Sequence, residues 1–359
     1  MHLSPGHRPK RSAMLGTVLT LLAAVPAPAG VELLVTSFTT NSVIRYNAWT
    51  GTPRGTLVAP SSGGLAFPIG AALGPDKRLY VCSSLNNAVL RYDVETGTPL
   101  GAFAFGGGLT FPQSLVFGPD GHLYVGGSGT AVLRFNGLTG AAMGPFTIGG
   151  HLSGAFGLAF GPDGRLYVSS FGTNRVLRYD AVSGAFLGEL DADPRLSSPY
   201  GLVFGADGRL YVVSSENAAV LRYDVTTGQV VDVFIEPGTG GLTSPVGIAP
   251  GPGGDLLISS FASHEVLRFD AASGQFLGPL VPGGAGGLNG PAGLVLRWVC
   301  SRGDVNDDGV VSPLDIPLFV DVLLAFDHDA ARRDAADANC DGAVDGGDIQ
   351  PFVRNLLFP

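Results

Sequence analysis

The chain has 359 residues, 45% hydrophobic and 14% charged, with 55 Gly, 26 Pro and a formal net charge of −9. That is ample apolar material for a large core, and so much glycine and proline suits an all-β chain of tight turns, which excludes a disordered protein. No basic patch is gathered anywhere, which argues against nucleic-acid binding, and 3 cysteines do not make a disulfide framework.

Residues 1–29 predict an export signal peptide. A basic stretch, His7 to Arg11, precedes an apolar run from Met14 to Val25, and Ala27-Pro28-Ala29 offers an A-x-A cleavage site before Gly30. The run is too short to span a bilayer, so no transmembrane span is expected in the mature chain. An uncleaved anchor is the alternative.

Residues 30–299 are a repeat array. The arginine of a V-L-R-Y-D phrase falls at Arg45, Arg91, Arg134, Arg178, Arg222 and Arg268, a period of 43–46 residues. Each copy reads as four short apolar runs, rich in Val, Leu, Phe and Tyr, separated by Gly-Pro-Asp-Gly, a polar turn and D-x-x-S/T-G. Such runs are strands, and four antiparallel strands in about 40–45 residues make a propeller blade. The first copy starts at its second strand, LLVTSF, whereas one orphan first strand, GPAGLVLRW, follows the sixth copy at residues 290–298. The two fragments complete one blade, which predicts a closed ring of six blades with the orphan strand beside Leu33 to Val35.

Repetition sorts the residues. Arg178, Tyr179 and Asp180 recur in nearly every copy and are read as structural, the Asp of D-x-x-S/T-G closing a hairpin. Function is expected where the repeat breaks, on the face that carries the loops between second and third strands and the blade-to-blade linkers. That face offers Phe38, Phe171 and Phe261 as apolar positions, and Gln113, His151, Tyr200, Glu216 and His264 as polar departures. The linker LDADPRLSSP adds Asp191, Asp193 and Arg195 beside Tyr200 and Glu216, a candidate polar or cation pocket, set against strand starts that are mostly apolar (Ile69, Phe156, Val246, Ala292).

After Cys300 the text changes. Residues 300–359 hold 12 Asp against 4 Arg, and the motif D-x-N-x-D-G-x5-D occurs twice, starting at Asp304 and Asp337. A hard cation such as Ca²⁺ takes six to eight oxygens, delivered by a 12-residue loop from positions 1, 3, 5, 7, 9 and 12. The first loop offers Asp304, Asn306, Asp308, the Val310 carbonyl, Ser312 through water, and Asp315; the second offers Asp337, Asn339, Asp341, the Ala343 carbonyl, Asp345 and Asp348. Two Ca²⁺ ions are expected. Apolar residues at helical spacing (Ile316, Leu318, Phe319, Val322, Leu323; Ile349, Phe352, Val353, Leu356, Leu357) predict a short helix after each loop. Cys300 and Cys340 flank this tail, and a bridge between them is one pairing open to them.

The tail resembles a type I dockerin through D-V-N-D-D-G-x5-D and its duplicate. The resemblance implies a paired EF-hand-like calcium module that plugs an exported protein into a cohesin module on a scaffold or cell surface, frequently in polysaccharide-degrading complexes. Loop positions 10 and 11, where many dockerins carry small hydroxyl residues that select the cohesin, are here Pro313 and Leu314, and Gly346 and Gly347. The array resembles, more loosely, NHL, SMP-30/gluconolactonase-like and streptogramin lyase-like six-bladed propellers through G-L-x-F-x-P-D-G-x-L-Y-V and N-x-V-L-R-Y-D. The expectation is an all-β six-bladed propeller with four-stranded blades, plus a small α-helical dockerin, in a secreted or cell-surface protein. Two functions compete: a platform that binds a polysaccharide or protein ligand, and an extracellular enzyme, a glycan-degrading hydrolase, lyase or lactonase. No nucleophile-base pair or His-rich metal constellation stands above the repeat, so the platform is preferred.

Overall fold

The computed structural model describes residues 30–298, 316–323 and 349. Residues 30–298 form six four-stranded antiparallel sheets. Blade one is β1 (Val31–Ser37), β2 (Ser42–Asn47) and β3 (Pro53–Val58), with β24 (Pro291–Trp298) as its innermost strand. Blade two runs β4 (Pro68–Leu73), β5 (Leu79–Ser83), β6 (Ala88–Tyr92), β7 (Pro99–Phe105), and blade three β8 (Pro112–Phe117), β9 (Leu123–Gly127), β10 (Leu133–Phe135), β11 (Ala142–Pro145). Blade four is β12 (Ala155–Phe160), β13 (Arg165–Ser170), β14 (Arg175–Asp180), β15 (Phe186–Glu189); blade five β16 (Pro199–Phe204), β17 (Leu210–Ser214), β18 (Ala219–Tyr223), β19 (Val230–Ile235); blade six β20 (Pro245–Pro250), β21 (Asp255–Ser260), β22 (Glu265–Asp270), β23 (Phe276–Val281). The ring closes as the orphan strand predicts: β24 pairs antiparallel with β1, Leu33 opposite Leu296 and Val35 opposite Leu294.

Second strands such as LYVCS and LYVVS are buried along their whole length because each blade is covered on both faces by its neighbours. The core is therefore divided among the blade seams. At the one-to-two seam Leu34, Val43 and Val58 meet Leu79, Val81 and Leu90; at the six-to-one seam Leu257, Val266 and Leu280 meet Leu33, Val35 and Tyr46. The first strands stand close enough that a Cβ at Gly157, Gly201, Gly247 or Gly293 would run into the backbone carbonyl of the next blade's first strand. Glycine there is a packing requirement.

The repeated polar residues hold turns. The Asp of Gly-Pro-Asp-Gly accepts the hydroxyl of the following strand's buried tyrosine, Tyr124 to Asp120 and Tyr167 to Asp163 at 2.8 Å. Asp180 Oδ1 accepts the Ser183 amide and hydroxyl, both at 2.7 Å, and these bonds hold its carboxyl below the usual range. Arg134 and Arg222 lie over the rings of Phe146 and Phe234. The trio that looks catalytic thus has local structural work in the blade.

The predicted helix after the first loop is present as α1 (Ile316–Leu323), with Phe319 buried. Residues 1–29, where an export signal is expected, and Cys300 and Cys340 lie outside the described residues.

Candidate functional site

In every blade the first strand begins at the face that carries the loops between second and third strands. The residue just before it is left-handed in all six: Phe67, Phe111, Gly154, Ser198, Ser244 and Gly290. In five of the six, all but Ser244, its amide is held from the preceding blade. Asn41, Asn87 and Asn174 accept, through Oδ1, the amides of Phe67, Phe111 and Ser198 at 2.7–2.8 Å. His264 occupies the corresponding place in blade six, and its Nδ1 accepts the Gly290 amide at 3.0 Å. His264 therefore stitches the six-to-one seam as asparagine stitches others, with the proton assigned to Nε2.

The polar candidates make separate local bonds. Arg195 and Asp193 form a bidentate pair, Nε to Oδ1 at 2.8 Å and Nη2 to Oδ2 at 2.5 Å, which holds the Asp193 carboxyl below its ordinary value. Glu216 is exposed and accepts the hydroxyls of Ser197 at 2.7 Å and Ser198 at 3.3 Å through Oε2. Asp191 is exposed and donates its backbone amide to the Gly228 carbonyl; His151 is exposed in the linker into β12. The structure brings Asp193 to Arg195 and Glu216 to the Ser197-Ser198 turn. Among the described residues no three His, Cys, Asp or Glu side chains gather as a metal site. Cys82, at a place held by Thr36, Gly126, Ser169, Val213 and Ser259 in the other blades, is buried, and burial pushes its thiol pKa up.

What does converge is aromatic. Phe38 stacks on Phe67 with centroids 4.6 Å apart and meets Phe261 edge-on at 5.5 Å. Across the ring Phe156 lies 4.5 Å from Phe171 and 4.9 Å from Tyr200. Tyr200 sits among these rings, and burial pushes its phenol up to about 12. Phe38, Phe111, Tyr200 and Phe261, with Ile69, Val246 and Gln113, line a cavity of about 230 Å³ at the channel mouth. Below it runs a channel lined by the first strands of all six blades, Gln113 again among the lining. Phe67 and Phe111 were not singled out from the sequence, although a signal was there: their Phe-Pro stands where other copies have Ser-Pro, Gly-Pro or Gly-Ala.

The calcium ligands expected in the tail, Asp304, Asn306, Asp308, Val310, Ser312, Asp315, Asp337, Asn339, Asp341, Ala343, Asp345 and Asp348, lie outside the described residues. Among the described residues no helix is long and apolar enough to cross a membrane.

Compared with known proteins, residues 86–281 match the family described as outer membrane protein assembly factor BamB, and residues 302–357 match the dockerin type I domain. The expected NHL or SMP-30 placement is finer than this match: blade text of strands and turns specifies the propeller more strongly than its lineage. No curated protein matches. In structure the chain is similar to a chain of a nidogen/laminin complex, at 16% identity and TM-score 0.59, covering 74% of this chain and 98% of that one. It is equally similar to a protein of unknown function from Bacteroides caccae, at 16% and 0.59, covering 75% and 99%. Virginiamycin B lyase from Staphylococcus aureus follows at 16% and 0.51, covering 67% and 78%. At these identities the likeness is one of fold. The chain belongs to the propeller family described as outer membrane protein assembly factor BamB and carries a type I dockerin domain at residues 302–357.

Proposed function

We propose that this is an exported binding module, with leader 1–29, propeller 30–299 and docking tail 300–359, whose dockerin hangs an NHL- or SMP-30-like propeller on a cohesin-bearing scaffold or cell surface. The observation that carries the reading is the dockerin type I match over a tail whose sequence repeats D-x-N-x-D-G-x5-D. The donor set fits a hard cation: each loop offers carboxylate, amide and carbonyl oxygens in 12-residue register. Asp304, Asn306, Asp308, Val310, Ser312 and Asp315 would hold one Ca²⁺, and Asp337, Asn339, Asp341, Ala343, Asp345 and Asp348 a second. When bound, the ions supply the charge that lets these carboxylates share a compact loop.

Support for a platform comes from the variable face. Its Asp193, Arg195 and Glu216 are committed to local pairs and turns, whereas its cavity is walled by aromatic rings and small hydroxyls, the make-up of a recognition pocket. The test is a screen of the purified full chain against neutral polysaccharides and lactones, following binding by calorimetry and turnover by product release. Saturable binding without turnover is expected. Turnover that disappears in Glu216→Gln would replace the platform with an enzyme.

A further inference from the structure

Gln113, one of the residues that line the mouth cavity, carries a polar atom that the fold leaves unmet and closes off from solvent. Gln113 is only 2% exposed, yet its Oε1 has no hydrogen-bond partner. It is the second residue of β8, a place held by Ile69, Phe156, Tyr200, Val246 and Ala292 in the other first strands. An apolar side chain would have sufficed for packing there. A buried side-chain amide without a partner is a standing cost, retained where something else supplies the missing bond.

The residue two places earlier carries a second cost. Phe111, left-handed at φ 44°, is held there by Asn87, and its ring is 37% exposed at the cavity. Glycine or serine fills that left-handed position in four of the six blades, so a bulky ring is there against the backbone preference.

We propose that the cavity binds a small uncharged ring with a single hydrogen-bond donor at its edge, of the phenol or indole type. The inference rests on the platform reading and narrows it. Rings from Phe38, Phe111, Tyr200 and Phe261 offer apolar faces on several sides, and no charged side chain is among the lining, so an ionic ligand would be stripped of water without return. A pyranose carries hydroxyls around its whole edge. This wall, with Gln113, Ser215, Ser244 and the Tyr200 hydroxyl as its side-chain polar groups, would leave several of them unpaired. A phenol brings one hydroxyl, and when the Gln113 side chain turns its amide into the cavity that hydroxyl gives a proton to Oε1 or accepts one from the amide nitrogen. About 230 Å³ admits one such ring.

The test is titration calorimetry of the full chain with phenol, toluene and methyl β-glucoside. Phenol is expected to bind saturably, toluene about 10-fold more weakly for want of the bond, and the glucoside not at all. In Gln113→Leu the preference for phenol over toluene should vanish while the melting temperature holds or rises, because the orphan amide is gone. Phe111→Gly, which suits the left-handed backbone, should keep the fold and weaken both ligands. Equal binding of phenol and toluene, an undiminished preference in Gln113→Leu, or binding of the glucoside alone would overturn the proposal. Polysaccharide binding in the earlier screen with no phenol binding would sink this inference and leave the platform standing; the absence of both would sink both.

Discussion

A chain that ends at Asn289 is expected to aggregate on purification, whereas one that ends at Val299 should remain monomeric and melt as the full propeller does. The difference is β24. It is the innermost strand of blade one, paired along β1 from Val31 opposite Trp298 to Ser37 opposite Pro291. Its Val295 belongs to the one-to-two seam and its Leu294 and Leu296 pack into the six-to-one seam. At about 1.5–3 kcal/mol for a fully buried aliphatic side chain and less for the partly buried Leu294 and Leu296, the three together contribute a sizeable share of the ~5–15 kcal/mol by which a domain is stable. Their loss also uncovers β1, VELLVTS, buried along its length in the closed ring. An uncovered, mostly apolar edge is a template for pairing with another copy. Light scattering and thermal melts of the two truncations decide the matter. An Asn289 chain that stays monomeric with an unchanged melting temperature would show that the ring does not depend on this strand.

Arg297→Ala is expected to cost about 3–5 kcal/mol in urea unfolding, far more than a surface charge. Arg297 and Glu32 face each other across β24 and β1 and are 6% and 4% exposed. The guanidinium donates through Nε to Glu32 Oε2 at 2.9 Å, and through Nη1 to Oε1 of Glu95, on the turn between β6 and β7, at 2.8 Å. It thereby ties the closing strand to blades one and two. Truncation leaves Glu32 buried with no counter-charge, which is where most of the cost arises. Replacing both partners, Glu32→Leu with Arg297→Met, should recover most of the loss, since a buried pair exchanged for apolar side chains is often near neutral. A single-variant cost below about 1 kcal/mol would mean that Glu32 finds water or another partner.

Much of this architecture was legible in the residues because a propeller repeats its instructions. Period, turn text and the orphan GPAGLVLRW strand led to six blades, the closing pair and the side on which loops vary. Repetition likewise marked Arg178, Tyr179 and Asp180 as blade chemistry, and their hydrogen bonds and ring contacts agree with that. The mouth was harder. Phe38, Phe111, Tyr200 and Phe261 come from blades one, three, five and six, and only closure of the ring brings them to one cavity. The seam bond from Asn87 to Phe111 joins residues 24 apart, so sequence neighbours do not announce it. His264 reads as a departure from the repeat, and its role emerges only when its ring nitrogen is found on the Gly290 amide. The linker Asp191, Asp193 and Arg195 looked like a pocket because charges cluster in the text; Asp193 and Arg195, two residues apart, satisfy each other locally instead.

The most direct test of the account is capture of the full chain on a panel of immobilised type I cohesins, followed by surface plasmon resonance with Ca²⁺ and after chelation. The account predicts saturable capture by at least one cohesin in Ca²⁺, lost on chelation, restored when Ca²⁺ is returned, and abolished in the double variant Asp304→Ala, Asp337→Ala while the propeller still melts cooperatively. Capture that survives both chelation and the double variant, or no capture by any member of the panel, would contradict it.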